Sequence, residues 1–303
     1  MSSTDDTSVT RCGYAAIVGR PNVGKSSLLN RILGQKISIT SRKPQTTRHR
    51  ILGIKTNGTD QAIYVDTPGL HSNEKRAINR YMNRAALTTI NDVDIIVAMT
   101  AGPTLTAADR EVIDRLPLRD IPVILAVNKV DTVSDKKRLL PLIEELARQT
   151  GLTHIVPVSA RTGENVERLE ALVNSMLPPG PFLFPEDQMT DRSERFLVGE
   201  LVREKLMRRL GQELPYATTV VIEEFFEKNA ITHITALILV EGINQRRIVI
   251  GAEGGLLKEI GTDARLDMEK MLGRKVFLRL WVKVKEGWAD DERSLPLLGY
   301  HDT

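Results

Sequence analysis

A glycine-rich segment near the start of the chain has the residue types needed to hold a phosphate group. The segment from Gly19 to Ser26 has the sequence GRPNVGKS, which fits the pattern GxxxxGK[ST]. Glycines let backbone N–H groups wrap around a phosphate, and the N-terminus of a following helix favours negative charge. Lys25 would reach the outer phosphates of a nucleotide, and the Ser26 hydroxyl would bind Mg²⁺.

Three later segments supply groups for a metal ion and a base. Asp66-Thr67-Pro68-Gly69 offers a carboxylate for the water shell of Mg²⁺ and, at Gly69, an N–H for the terminal phosphate. Asp131, in Asn128-Lys129-Val130-Asp131, can accept hydrogen bonds from guanine N1–H and N2–H₂, a donor pair that adenine lacks. The N–H of Ala160, in Ser159-Ala160-Arg161, would bind guanine O6. The predicted nucleotide contacts are Gly19, Arg20, Pro21, Asn22, Val23, Gly24, Lys25, Ser26, Ser27, Asp66, Thr67, Pro68, Gly69, Asn128, Lys129, Asp131, Ser159 and Ala160.

The predicted secondary structure places these segments at the ends of strands. Apolar strands alternate with amphipathic helices, which predicts a mainly parallel sheet covered on both faces, with ligands beyond the carboxyl ends of its strands. The predicted strands are Tyr14–Val18, Ile51–Thr56, Ala62–Asp66, Asp94–Thr100, Val123–Asn128 and Ile155–Ser159. The predicted helices are Lys25–Leu33, Ala77–Ile90, Thr106–Arg115, Asp135–Gln149 and Asn165–Met176.

A proline-rich segment divides the chain into two predicted domains. Leu177-Pro178-Pro179-Gly180-Pro181 cannot continue a helix, so we expect a linker there. Downstream, the predicted order is α-β-β-α-α-β, which indicates an α+β domain. The expected division is a flexible N-terminal tail at 1–12, a first domain at 13–180, a linker at 181–192 and a second domain at 193–303.

A glycine-containing turn in the second domain resembles the signature of KH domains. The stretch from Ile248 to Gly261 has the sequence IVIGAEGGLLKEIG, and in KH domains such a GxxG turn packs against about four unpaired nucleotides. This turn carries Ala252-Glu253 where KH turns commonly carry a basic residue, so backbone N–H groups and nearby lysines must attract the phosphates. The apolar residues expected in the core are Ile248, Ile250, Leu257 and Ile260. The residues expected to contact RNA are Ile250, Gly251, Ala252, Gly254, Gly255, Lys258, Lys283, Lys285 and Trp288.

The two tryptophans are expected to lie in different environments. Trp281 alternates into the last predicted strand and is expected in the core; the alternative is a platform on which a base stacks. Trp288 lies beyond that strand and is the better candidate for stacking on a base. The surrounding stretch from Arg265 to Lys285 carries seven basic residues and two acidic ones, which makes it a candidate nucleic-acid patch.

The order and spacing of the nucleotide motifs resemble those of translation-factor-class GTPases. Within that class, the stretch SITSRKPQTTR at 38–48 and the ending WVKVKEGWADDER at 281–293 closely resemble the Era family, over residues 12–300. The resemblance implies a P-loop NTPase domain followed by a type II KH domain. It also implies that Thr47, or as second choice Thr46, closes over Mg²⁺ in the GTP state; the alternative is that this stretch is an exposed basic loop containing Arg42, Lys43, Arg48 and Arg50. The expected catalytic residues are Lys25, Thr47, Asp66 and Gly69.

Leu70 occupies the position at which Ras-like enzymes carry a water-orienting glutamine. A leucine cannot orient water, so GTP hydrolysis is expected to be slow. In related GTPases a loop asparagine helps to bind K⁺, and Asn22 is either such a ligand or a residue that stabilises the loop. The implied cofactors are therefore Mg²⁺ and, through Asn22, K⁺.

The resemblance implies a GTP-hydrolysing switch that binds the 3′ end of 16S ribosomal RNA and assists its maturation and 30S subunit biogenesis. The implied partners are GTP and GDP, that RNA and the 30S subunit, with weak peripheral association with the inner face of the cell membrane. The protein is expected to be a cytoplasmic monomer. An alternative is a constitutive RNA chaperone with a structural guanine nucleotide, which would bind RNA equally in both nucleotide states.

Composition excludes several other classes. The chain has 303 residues, 41% of them hydrophobic and 27% charged, as expected for a globular protein with two domains. The only cysteine is Cys12, so no disulfide framework is expected. We expect neither a membrane-spanning segment nor a signal peptide, because apolar runs are short and the first twelve residues are polar.

Overall fold

The computed structural model describes residues 9–69, 76–102, 104–117, 120–135, 137, 139–211 and 214–300. The expected tail residues 1–8, and Leu70, lie outside this part. The chain forms two compact units: one comprises 1–35, 50–70 and 86–191, and the other comprises 36–49, 71–85 and 192–303. Within the described part, no helix is both long and apolar enough to cross a bilayer.

The first unit is built on a six-stranded sheet. Its strands are β1 (Arg11–Val18), β2 (Ile51–Asn57), β3 (Asp60–Asp66), β4 (Ile95–Ala101), β5 (Val123–Asn128) and β6 (His154–Pro157). The strand order is β2-β3-β1-β4-β5-β6, and only β2 runs antiparallel to its neighbour β3. The helices are α1 (Lys25–Leu33), α2 (Ala77–Asn91), α3 (Ala107–Asp114), α4 (Leu139–Thr150) and α5 (Val166–Met176).

The predicted α/β alternation is confirmed, with differences at the ends of elements. Strand β1 begins at Arg11 rather than Tyr14, because Arg11 and Cys12 pair with Asp60 and Gln61 of β3. Helix α4 begins at Leu139, later than the predicted Asp135. The inward-facing residues of β1, β3, β4 and β5 are almost fully buried, which is the pattern of a parallel sheet covered on both faces.

The residues predicted as a linker pack against the first unit as far as Asp191. The side-chain carbonyl of Gln61 accepts hydrogen bonds from the N–H groups of Leu183 and Phe184, at 2.9 and 3.0 Å. Beyond them, the N–H of Ile54 donates to the carbonyl of Met189 at 2.9 Å. The Ile54 bond satisfies a backbone group of the edge strand β2. The domain boundaries at 180 and 193 stay a prediction.

The second unit contains a three-stranded sheet packed with helices. Its elements are α6 (Glu194–Arg209), β7 (Thr218–Lys228), β8 (Ile231–Val240), α7 (Ile243–Ile250), α8 (Gly255–Leu272), β9 (Lys275–Val284) and α9 (Ser294–Leu297). The strand order is β7-β8-β9, with β7 antiparallel to β8 and β8 parallel to β9. Helices α6 and α8 bury apolar side chains against one face of this sheet. The predicted α-β-β-α-α-β order is confirmed, with α9 added.

Candidate nucleotide site and candidate RNA groove

The phosphate loop joins the buried strand β1 to helix α1, as its sequence predicts. Gly19 and Gly24 have φ of +157° and +109°, and the second value is one that only glycine adopts readily. A Cβ atom at Gly24 would also collide with the side-chain nitrogen of Asn128. Glycine at position 24 is therefore required both by the backbone conformation and by the close approach of the base motif.

Lys25 is buried against the loop that precedes it. Its Nζ donates hydrogen bonds to the carbonyls of Gly19 and Arg20, at 2.9 and 3.3 Å. Burial lowers the pKa of Lys25 to about 8, and the nearby Asp66 carboxylate partly opposes this shift. A bound phosphate would supply negative charge beside the ammonium group and so favour its charged form.

Ser26 and Asp66 bring two oxygen ligands together. The Ser26 hydroxyl donates to Oδ2 of Asp66 at 2.6 Å, and Asp66 is fully buried at the end of β3. Mg²⁺ prefers oxygen ligands and commonly takes few from the protein. This hydroxyl–carboxylate pair fits the predicted magnesium site.

The Asp66–Gly69 segment is fixed against β1 and the phosphate loop. The Thr67 hydroxyl donates to the carbonyl of Ile17 at 3.1 Å, inside the sheet. A Cβ atom at Gly69 would lie 3.0 Å from the Pro21 ring, so the small residue allows this segment to approach the loop. The segment therefore lies against the phosphate loop.

Asn128 connects the base motif to two other motifs. Its side-chain nitrogen donates to the carbonyl of Val23 at 2.7 Å, and its side-chain oxygen accepts from the N–H of Ala160 at 3.0 Å. Lys129 adds a 3.0 Å bond to the carbonyl of Asn22. These bonds make the predicted base pocket and the phosphate loop one connected network.

The carboxylate of Asp131 is held by two residues of the Ser159-Ala160-Arg161 segment. It accepts a 2.6 Å hydrogen bond from Ser159 and forms a 2.6 Å ion pair with Arg161. The Ser159 hydrogen bond, followed by the Arg161 charge, keeps the pKa of Asp131 below its usual value. A fixed carboxylate of this kind suits the donor pair of guanine.

The structure brings together the predicted residues of the phosphate loop, the Asp66–Gly69 segment, the base motif and the Ser159-Ala160 pair. Arg20 pairs with Asp109 at 2.7 Å, and Asn22 is exposed with φ of +66°, a conformation that asparagine tolerates well. This backbone conformation is a structural reason for asparagine there. The contributors that sequence reasoning missed are Arg31, Asp109 and Arg161; for Asp109 the signal was the Thr106-to-Asp109 capping box.

The segment containing Thr46 and Thr47 belongs to the second unit. The backbone N–H of Thr40 donates to Glu204 at 2.9 Å, and Lys36 pairs with both Glu204 and Asp267. Thr47 is buried. The expectation that Thr47 binds Mg²⁺ stays a prediction.

Arg48 corrects the alternative of an exposed basic loop at this position. Its guanidinium is fully buried and donates to the carbonyls of Thr218 and Tyr216 and to the hydroxyl of Tyr300, at 2.8, 3.2 and 3.2 Å. The neighbouring His49 is also buried and stacks on Tyr300 with ring centroids 4.6 Å apart. This part of the segment is a core element of the second unit.

The predicted GxxG turn lies between α7 and α8. Gly251 and Gly254 have φ of +76° and +77°, and a Cβ atom at Gly251 would lie 2.7 Å from Cβ of Leu256. Glu253, exposed, also has positive φ, at +51°. The turn therefore presents backbone at a tight, glycine-dependent corner.

A groove of about 380 Å³ runs from this turn between α8 and β9. Of the predicted RNA contacts, Gly254 and Lys258 line it, whereas Lys283 belongs to the other side of β9. Sequence reasoning missed most of its walls, which are Leu257, Gly261, Thr262, Arg265, Leu278 and Leu280. The glycine inside α8 was the available signal, because a Cβ atom at Gly261 would lie 3.3 Å from Leu280.

Three expectations about side-chain exposure in the second unit are wrong. Trp288 is fully buried and donates its indole N–H to the carbonyl of Ala217 at 3.2 Å, so it has no free face for a base. Trp281, expected in the core, is 56% exposed. Ile248 is also exposed, and its neighbour Val249 is buried instead. In β9 and α7, residues adjacent to Trp281 and Ile248 point to the core instead.

Comparison with known proteins identifies relatives that span nearly the whole chain. A family model described as "50S ribosome-binding GTPase" matches residues 14–129, and one described as "KH domain" matches residues 213–289. The chain is 58% identical over 298 residues to "GTPase Era" of Pseudomonas syringae pv. tomato, covering 98% of this chain and 99% of that protein. It is 57% identical over 293 residues to "GTPase Era" of Azotobacter vinelandii, covering 97% and 98%.

Two solved structures share the fold over nearly the full chain. An Aquifex aeolicus Era variant bound to GDP and AlF₄⁻ superposes with a TM-score of 0.92 at 39% identity, covering 96% of this chain and 99% of that one. Era in complex with MgGDPNP and nucleotides 1506–1542 of 16S ribosomal RNA superposes with a TM-score of 0.91 at 39% identity and the same coverage.

Proposed function

The chain belongs to the Era family of GTPases, and from this premise we propose that it binds the 3′ end of 16S ribosomal RNA in a manner controlled by GTP. In this role it assists maturation of that RNA and biogenesis of the 30S subunit, and it leaves after hydrolysis. The related Era that was solved with MgGDPNP and nucleotides 1506–1542 of this RNA supports the proposal. The observation that carries it is the Asn128 network, which ties the base pocket to the phosphate loop.

The nucleotide-binding roles follow the chemistry of the assembled residues. Lys25 pairs with the outer phosphates, Asp131 accepts from the guanine base, and the Gly69 N–H binds the terminal phosphate. Ser26, Thr47 in the GTP state, and Asp66 through water would hold Mg²⁺, which when bound offsets the charge that develops on the transferred phosphate. The 2.6 Å bond between Ser26 and Asp66 supports this assignment.

In this proposal, the rate of GTP hydrolysis depends on a cation, because Leu70 replaces the water-orienting glutamine of Ras-like enzymes. Leu70 cannot orient water; Asn22 would help to hold K⁺, which would supply positive charge beside the transferred phosphate. GTP turnover is therefore slow and faster in KCl than in NaCl of the same ionic strength. In an Asn22→Ala variant the two salts should give equal rates; a potassium effect that survives in this variant removes Asn22 from the role.

RNA binding is assigned to the groove beside the GxxG turn. Unpaired nucleotides lie with their phosphates at Gly251–Gly254 and their bases over the apolar wall of Leu257, Leu278 and Leu280. Lys258 and Arg265 bring positive charge to the rim of this groove. Glu253 opposes the attraction, so the backbone N–H groups of the turn carry a larger share of it.

The deciding experiment measures RNA affinity in both nucleotide states. A labelled oligonucleotide with the 3′-end sequence of 16S ribosomal RNA is titrated into the protein saturated with GDP or with a non-hydrolysable GTP analogue. Several-fold tighter binding in the GTP state corresponds to a coupling free energy of about 1 kcal/mol or more. A scrambled oligonucleotide of the same composition is the control. Equal binding in both states would instead support a constitutive RNA chaperone.

The cellular setting follows from the same proposal. The protein acts as a cytoplasmic monomer on the 30S subunit, with weak peripheral association with the inner face of the cell membrane. Its single thiol, Cys12, is buried, and burial raises the pKa of that thiol, which suits a compartment without disulfide chemistry. Cosedimentation with 30S subunits and with anionic lipid vesicles tests the two associations separately.

A further inference from the structure

The face of the β7-β8-β9 sheet that points away from α6 and α8 carries an ordered set of exposed side chains. Along β9, Leu278, Leu280, Val282 and Val284 point to the helix-covered core. The alternating residues Lys275, Phe277, Arg279, Trp281 and Lys283 are exposed. We use the name outer sheet face for this second row, its register partners on β8 (Ile231, His233, Thr235, Leu237 and Leu239) and Phe226 of β7, which pairs with His233.

Aromatic rings are concentrated on the outer sheet face. Phe226, Phe277 and Trp281 are 47%, 47% and 56% exposed, and they are the exposed aromatic residues of the described chain. His233 lies between the two phenylalanines, with ring centroids 5.2 Å from Phe226 and 5.3 Å from Phe277. Rings left in water are energetically unfavourable, and a cluster of them marks a binding surface.

Positive charges alternate with these rings along β9. The Arg279 guanidinium lies 5.8 Å from the centre of the Phe277 ring, and neither Arg279 nor Lys283 forms an ion pair with a described residue. The nearby acid on β7, Glu224, accepts a 2.6 Å hydrogen bond from the Thr235 hydroxyl. Every second residue of a strand is about 7 Å apart, so β9 presents a repeating pattern of ring and cation.

This pattern matches the chemistry of single-stranded nucleic acid. Unpaired bases stack on exposed rings while cations attract the phosphates between them. A protein partner has no comparable need for cations placed between rings, and a duplex keeps its bases stacked inside. Charge complementarity to a polyanion therefore identifies the occupant.

We propose that the outer sheet face is a second RNA site, which stacks unpaired bases on Phe277 and Trp281 and binds phosphates through Arg279 and Lys283. It differs from the groove, whose wall is formed by Leu278 and Leu280 on the opposite side of the same strand. The two sites are back to back across β9, and the second does not depend on which sequence the groove selects.

Tryptophan fluorescence tests the stacking directly. Trp288 is fully buried, so Trp281 is the tryptophan that a base can reach. Titration of the full-length protein with a single-stranded RNA dodecamer should quench the emission to saturation. A Trp281→Phe variant should lose the quenching while it keeps most of the RNA affinity.

Substitutions then separate the two sites. Phe277→Ala combined with Trp281→Ala should weaken dodecamer binding about tenfold and leave GTP binding unchanged. Leu140→Ala, at a 65% exposed apolar residue of α4, is the control for loss of exposed apolar surface. In Lys258→Glu, which alters the groove, RNA should still quench Trp281.

Four results would overturn the proposal. These are the absence of quenching, an unchanged affinity in the double variant, equal quenching by a duplex of the same sequence, and loss of all quenching in Lys258→Glu at every RNA concentration. A dimer that the double variant disrupts without a change in RNA affinity would assign the face to contacts between copies of the chain. If the protein shows no preference for the 16S ribosomal RNA sequence but RNA still quenches Trp281, only the function assigned to the groove is affected.

Discussion

The hydroxyl of Ser159 donates a 2.6 Å hydrogen bond to Oδ1 of Asp131. This bond joins the motif that follows β5 to the motif that follows β6. It aligns the carboxylate and, with Arg161, keeps its pKa low. The carboxylate that we propose distinguishes guanine from adenine is thus held in place by Ser159 and Arg161.

Asp131→Asn should move the preference of the site from guanine toward xanthine nucleotides. The substitution turns one acceptor into a donor, and xanthine offers a carbonyl where guanine offers an amino group. An unmatched polar group in such a site costs about 1–3 kcal/mol, which competition between GTP and XTP will show. Ser159→Ala should weaken the binding of both GTP and XTP without reversing the order of their affinities. Unchanged selectivity in Asp131→Asn would remove Asp131 from the base site.

Nucleotide affinity should fall above pH 8 through Lys25. Burial lowers the pKa of this lysine to about 8. Above that pH, Lys25 must take up a proton before it can pair with a phosphate, so nucleotide affinity should fall by up to about tenfold per pH unit. Without nucleotide, the pH dependence of folding stability has the opposite sign. The stability contributed by Lys25 rises as pH increases through 8, because the lysine loses its proton in the folded chain and keeps it in the unfolded chain. Calorimetric titration with GDP in buffers of different ionisation enthalpy measures the proton uptake, and Lys25→Met should show none.

His49 should make the second unit sensitive to acid. Burial lowers its pKa to about 3, against the attraction of the Glu200 carboxylate. The stability linked to neutral His49 is complete above the unfolded value of about 6.5 and is lost as pH falls, by at most about 1.4 kcal/mol per unit. His49→Phe should flatten this loss in chemical denaturation between pH 7 and 4, whereas His154→Phe, at an exposed site, should not. Equal slopes in all three proteins would contradict the assignment.

Arg48→Met should destabilise the protein by about 1.5–3 kcal/mol. It leaves the carbonyls of Thr218 and Tyr216 and the hydroxyl of Tyr300 without their buried donor. Arg42→Met, at an exposed position of the same segment, should change stability by less than about 0.5 kcal/mol. Urea denaturation provides the comparison, and similar midpoints for the two variants would count against the buried role.

Glu253→Lys should tighten RNA binding and steepen its dependence on salt. Position 253 is exposed within the turn, and its backbone conformation is equally open to lysine. One additional phosphate contact changes the slope of log affinity against log salt by about 0.7 for a single strand. Glu167→Lys, the same charge change on the exposed side of α5, is the control. No difference between the two would show that the turn does not approach phosphate.

Short-range patterns were enough to predict the nucleotide motifs and the order of elements. The spacing of Gly19, Gly24 and Lys25 specifies a loop between strand and helix, because glycine conformations and helix starts depend on adjacent residues. The alternation of apolar strands with amphipathic helices likewise specifies a parallel sheet, which in turn places Asp66, Asn128 and Ser159 at one edge.

Tertiary structure alone decided which polar and aromatic residues are buried. Arg48 resembles a loop cation in sequence, yet its buried guanidinium donates to carbonyls more than 160 residues away. Trp281 and Trp288 differ in exposure because the register of β9 against β8 sends even-numbered residues inward, while Trp288 fills a cluster with Ile78 and Tyr300. Such burial depends on partners distant along the chain, and no local pattern encodes them.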